Sequence, residues 1–138
     1  MKLSFVFAVL LISAKLFASP QDTISHWNIL IGEKKIAELN EFVNYSILII
    51  DKTDITKSSL VVQYIDDTPC YKCLDKLIIK NSDGVEIMRV GAYASRSEFM
   101  LKPSDQEMDK IFGSSVLYFY FVDANLKSEI QLFGITFK

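Results

Sequence analysis

From Trp27 to Lys138, apolar residues recur at every second position or in runs of about five, which is the spacing of strands rather than helices. Trp27-Asn-Ile-Leu-Ile31 and Lys35-Ile-Ala-Glu-Leu39 flank Gly32-Glu33-Lys34 and predict a hairpin. Ser46-Ile-Leu-Ile-Ile50 is a short, fully apolar segment, expected at the centre of a sheet. It ends in the polar turn cluster Asp51-Lys-Thr-Asp54. Leu60-Val-Val-Gln-Tyr-Ile65 puts Leu60, Val62 and Tyr64 on one face, with Val61, Gln63 and Ile65 on the other. Lys76-Leu-Ile-Ile-Lys80 sends Leu77 and Ile79 inward; Asn81-Ser-Asp-Gly84 is a strong hairpin turn, and Val85 to Val90 forms the returning strand.

Phe99-Met-Leu101 predicts a further short strand, stopped by Pro103. One helix start stands out. Ser104-Asp-Gln-Glu107 has the spacing of a capping box, Met108, Ile111 and Phe112 follow at helical spacing, and Gly113 is placed to end the helix in a left-handed turn. The last two strands run from Val116 to Val122 and from Glu129 to Phe137, joined through Asp123-Ala-Asn125. Leu117, Phe119 and Phe121 share the core face with Phe133, Ile135 and Phe137, leaving Tyr118 and Tyr120 on the other side. About eight short strands with one small helix near 104–112 predict an all-β, antiparallel β-sandwich, immunoglobulin-like in general architecture.

The first residues have a different pattern. Met1-Lys2 is a basic start, Leu3 to Ile12 an apolar run too short to span a bilayer, and Ser13 to Ala18 a weaker stretch before a polar Ser19-Pro-Gln-Asp22. The layout predicts a secretory signal peptide over 1–18 and one mature domain over 19–138, exported to a periplasmic or secreted location with no membrane span left in it. No lipid-attachment cysteine follows the expected cleavage point, so the mature product is expected to be soluble. Removing 1–18 takes away Lys2 and Lys15; 13 of the 15 basic side chains remain against 17 acids, a net charge of −4. With no basic cluster, nucleic acid is not an expected partner.

Asp66-Asp-Thr-Pro-Cys70-Tyr-Lys-Cys73 contains both cysteines. Two cysteines three apart in a turn bring their Cα atoms within about 7 Å, inside bridging range. Outside the cytoplasm this spacing predicts a structural small-loop disulfide between Cys70 and Cys73, in a turn joining two strands. The alternative is a redox-active pair. A strand leading into Cys-x-x-Cys resembles a thioredoxin, and the resemblance implies thiol–disulfide exchange by Cys70 and Cys73. It stops at that motif: the tryptophan usual before it is replaced by Thr68-Pro69, Pro103 precedes a capped helix instead of a hairpin, and Asp66 and Asp67 would raise a thiol's pKa. A zinc site would need ligands beyond these two thiolates, and the single histidine, His26, is remote in sequence.

Other chemistry is sparse. No nucleophile elbow, zinc-protease helix, phosphate loop or dinucleotide fingerprint is present. Asp51, Asp54, Asp66 and Asp67 at strand ends admit a calcium reading if they share one pole, or plain turn chemistry. Glu38 and Glu41, like Asp105, Glu107 and Asp109, fit solvated faces and helix-start charges. Tyr118 and Tyr120, with Tyr64 or Tyr93 beside them, offer a flat surface to a protein or glycan, or else cross-strand packing. Asn44-Tyr-Ser46 fits a glycosylation acceptor. The expectation is an exported, non-catalytic binding or interaction module that needs no cofactor and no metal.

Overall fold

The computed structural model describes residues 25–43, 46–65, 73–93, 96–124 and 128–138. Within them the elements are β1 (His26–Ile31), β2 (Lys34–Asn40), β3 (Ile47–Ile50), α1 (Lys52–Lys57), β4 (Leu60–Ile65), β5 (Leu74–Asn81), β6 (Glu86–Tyr93), β7 (Arg96–Met100), α2 (Asp105–Gly113), β8 (Leu117–Val122) and β9 (Glu129–Phe137). They form a four-stranded sheet in the order β2-β1-β4-β7 and a five-stranded sheet in the order β3-β9-β8-β5-β6. The chain is an all-β sandwich. One hydrophobic cluster fills the space between the sheets, with Trp27, Ile29, Val62, Tyr64 and Phe99 from the first facing Leu77, Ile79, Phe119, Phe121, Phe133 and Ile135 from the second.

The alternation read from the chain sets these faces. Leu60, Val62 and Tyr64 point into the core, as do Leu77 with Ile79 and Leu117 with Phe119 and Phe121. Tyr64 therefore does not join Tyr118 and Tyr120 on the outer face. Its ring stacks on Phe121 across the interface at 3.8 Å and on Trp27 at 6.0 Å. A bulge in β9 opposite Phe119 and Tyr120 lets Leu132 and Phe133, adjacent in sequence, both be buried.

Three expectations need correction. Ile47–Ile50 is an edge strand rather than a central one, and it runs parallel to β9, the one parallel pairing among the described strands. An all-apolar run carries no alternation to say which side faces the core: Leu48 and Ile50 point in, while Ile47 and Ile49 are 49% and 68% exposed. The cluster at 51–54 starts a helix, α1, instead of a turn. Asp51 caps it, its carboxylate accepting from Thr53 N at 2.9 Å and Thr53 Oγ1 at 2.7 Å. Finally, Gly113 does not adopt a left-handed conformation; among the described residues only Gly32 and Gly84 do. Ser114 ends α2 with extended backbone, its hydroxyl donating to Lys110 O at 2.8 Å and its N–H to Ile111 O at 3.3 Å. Those two bonds satisfy carbonyls that a glycine turn would otherwise serve.

The start of α2 is as expected. Ser104 Oγ accepts from Glu107 N at 3.3 Å while the Glu107 carboxylate accepts from Ser104 N at 2.7 Å, a complete capping box. Ile111 is buried, and Met108 and Phe112 pack against the core, so α2 lies along one end of the sandwich. Ile55 of α1 packs at the same core. Among the described residues no helix is long and apolar enough to cross a membrane.

Candidate functional site

A sandwich has two open ends where inner faces meet solvent, and the residues considered for chemistry divide between them. At one end, β4 finishes at Ile65 in the four-stranded sheet and β5 begins at Leu74 in the five-stranded sheet. Cys70, Asp66 and Asp67 lie outside the described residues. Cys73, the residue before β5, is not a free thiol. The residues after it form an eight-residue strand. A thioredoxin-type motif needs a helix there, whose positive end lowers the pKa of the first thiol, and β5 takes its place.

Asp51 and Asp54 sit at the other end. β4 begins three residues after α1 and carries the chain about 17–20 Å to Ile65. Of the four aspartates read at strand ends, Asp51 and Asp54 are placed here, and Asp66 and Asp67 lie outside the described residues. The Asp51 carboxyl is held below its ordinary pKa by the Thr53 backbone N–H first and the Thr53 hydroxyl second, so its oxygens serve the helix cap. No group of three His, Cys, Asp or Glu side chains among the described residues could hold a metal ion. His26 opens β1 beside Glu38, Leu39 and Asn40 on the surface of the four-stranded sheet. Asn44 lies outside the described residues.

Tyr118 and Tyr120 occupy the outer face of the five-stranded sheet and are half-buried. Tyr118 lies over Gly134, where an added Cβ would meet Tyr118 Cδ1 at 3.4 Å and Ile47 Cγ1 at 3.3 Å. The glycine thus makes room for the ring to lie across β9 toward the edge strand. Tyr120 is covered differently. The Lys80 ammonium stands 4.9 Å from its ring centroid and pairs with Glu129 at 2.6 Å. So Tyr118 is placed beside exposed Ile47, Tyr120 beneath an ion pair, and the two rings do not form one bare platform. The side chain of Tyr93 lies outside the described residues.

One concave feature was not anticipated. At the end closed by α1 and α2, a cavity of about 210 Å³ opens between the sheets. Its walls are Leu60 and Leu101 on one side and Ile79, Leu117, Phe119, Ile135 and Phe137 on the other, with Ile111 of α2 above. Two backbone bonds fix the four-stranded side, Gly32 N to Ser59 O at 2.8 Å and Leu101 N to Leu60 O at 2.9 Å. Pro103 stiffens the turn into α2. The polar residues of the rim are Thr56, Lys57, Ser58, Ser59 and Lys102; among the described residues no carboxylate, histidine or cysteine lines it.

Such a lining can hold an apolar group and offer cations and hydroxyls to what protrudes from it. Both lysines are exposed. The lining comes from segments between Ile55 and Phe137, and no local motif marks it. The nearest signal in the sequence is Asp51-x-x-Asp54, a cap followed by an acid, which would have revealed α1 as one wall.

No model of a known protein family matches this chain, and no curated protein matches it.

Proposed function

We propose that this chain is an exported, non-catalytic binding module whose ligand site is the cavity at the helix-capped end of the sandwich. The observation carrying it is the cavity: about 210 Å³ between the two sheets, apolar within and ringed by polar groups. Protein interiors are packed to crystal density, and voids larger than a water molecule are few. The rim has hydroxyls and ammonium groups and no paired acid and base, which suits recognition better than turnover.

The two cysteines fit a structural role at the opposite end. Cys73 is not a free thiol, Cys70 is the other cysteine in the chain, and a strand follows. A bond between them would be a structural small-loop disulfide just before β5, leaving the helix-capped end free to take a ligand. The export signal read over 1–18 agrees with an oxidising compartment.

A titration of small apolar probes tests the assignment. Toluene or indole, followed by amide NMR, should shift Leu60, Leu101, Ile111 and Phe137 saturably and leave the amides around Trp27 alone. Absence of saturable shifts at those four residues refutes the site.

A further inference from the structure

The cavity's lining also specifies the class of ligand. We infer that it takes a short amphipathic anion, with a chain or ring of about eight carbons between the sheets and an anionic head at Lys57 and Lys102. This rests on the cavity being a binding site and adds its chemistry.

Size comes from the volume. A 150 Å³ cavity lined by Leu, Ile and Phe holds the six carbons of benzene, so about 210 Å³ takes roughly eight. Long lipid tails do not fit. The floor of the cavity is apolar, formed by Ile79, Leu117, Phe119 and Ile135, which water does not reach. A polar group there would lose its water without gaining a partner.

Charge comes from the rim. Lys57 ends α1 and Lys102 follows Leu101, so two basic residues about 45 apart in sequence line the same cavity. Neither is in a salt bridge among the described residues, where the ion pairs are Lys35–Glu38, Lys80–Glu129 and Glu86–Arg89. Asp54 lies on α1 with Lys57 and makes no salt bridge with it among the described residues, and the carboxylate of the cap residue Asp51, though it feels the Lys57 charge, is engaged with Thr53. Ser58 and Ser59 add hydroxyls that can donate to the same head. An exposed ammonium–anion pair strengthens binding about threefold, so two together give about tenfold.

Octanoate, octanol and octyltrimethylammonium, titrated by calorimetry into the wild-type chain and into the Lys57→Gln/Lys102→Gln variant, test this. Both positions are exposed, so the variant folds. Octanoate is expected to bind about tenfold tighter than octanol, the ammonium compound weakest, and the octanoate advantage to vanish in the variant and in high salt. Affinity should rise about fourfold for each methylene from butanoate upward and stop rising near eight carbons. Equal affinity for octanoate and octanol overturns the anion assignment while leaving the cavity as a site. A steady rise through hexadecanoate overturns the size limit. Failure of all three compounds to bind, with toluene still binding, also overturns the amphipathic class; if toluene fails too, the site itself is wrong.

Discussion

Truncating Phe121 to alanine tests what holds the two sheets together. Phe121 is 2% exposed and belongs to the five-stranded sheet, yet both of its ring partners belong to the other layer. It stacks on Tyr64 at 3.8 Å with planes 14° apart and meets Phe99 edge-on at 6.2 Å and 73°. Removing a buried phenylalanine costs about 3–5 kcal/mol from lost transfer and the void left behind. Each ring pair adds about 0.5–1.5 kcal/mol beyond its area, which places this site in the upper half of that range. A loss of about 4–5 kcal/mol is large for a domain whose whole stability is about 5–15 kcal/mol, and it should lower the unfolding midpoint by roughly 15 °C or more. Phe121→Leu keeps much of the volume and loses the ring contacts, so it should fall between the wild type and alanine. Phe42→Ala is the control: Phe42 is 76% exposed, and the change should stay within about 0.5 kcal/mol. Urea unfolding followed by fluorescence reads all three, because Trp27 is the single tryptophan, is 1% exposed, and stacks on Tyr64. A cost below about 2 kcal/mol for Phe121→Ala would refute the view that this aromatic row bridges the layers.

Ser104→Ala removes the hydroxyl half of the capping box and should destabilise by about 1 kcal/mol in thermal unfolding. The Glu107 carboxyl is held below its ordinary pKa chiefly by the Ser104 N–H, then by the Ser104 hydroxyl, so its contribution is complete at neutral pH and is lost as pH falls through its lowered value. A denaturation series from pH 7 to pH 2 should therefore be less steep at its acid end for Glu107→Gln than for the wild type. Gly134→Ala would press a Cβ against Leu117 O at 3.3 Å, and since that oxygen is backbone in the sheet, a loss of about 1 kcal/mol in urea is expected. Cys70→Ser/Cys73→Ser should lower stability by about 2 kcal/mol and leave probe binding at the cavity unchanged; a pair that glutathione readily reduces in the wild type would favour redox chemistry instead.

The sandwich was legible because its central strands alternate. Val62, Leu77, Phe119 and Ile135 could be assigned to a common interior from spacing alone, and α2 from its cap, because each signal is local to a few residues. Where locality failed, so did the reading. In Ile47–Ile50 every residue is apolar, so neither face nor sheet position can be deduced, and its parallel pairing with β9 joins residues some 87 apart in sequence. In α1 a single apolar residue, Ile55, faces the core over six residues, too little periodicity to separate a helix from a turn. The cavity was beyond reach for the same reason at larger scale. Its walls are ordinary core residues, and what makes them a site is that the elements closing this end leave space above Leu117 and Leu60. That space depends on topology.

A void of this kind invites the opposite explanation, that it is merely imperfect packing, and the two explanations predict different responses to filling it. Leu101 is 6% exposed and lines the cavity, so Leu101→Phe would direct a larger ring into existing space. Filling a true cavity commonly stabilises a protein by about 0.5–2 kcal/mol, here roughly 2–8 °C in the unfolding midpoint. Under either explanation the variant becomes more stable. Only a ligand site gives a second effect, in which octanoate and toluene lose their binding while the fold, read by Trp27 emission, is unchanged. Destabilisation by more than about 1 kcal/mol would show that the space is not there to be filled. A stable variant that still binds both probes would move the site elsewhere. Stability forgone at one end of a small domain is the trade expected where recognition needs an opening that packing alone would have closed.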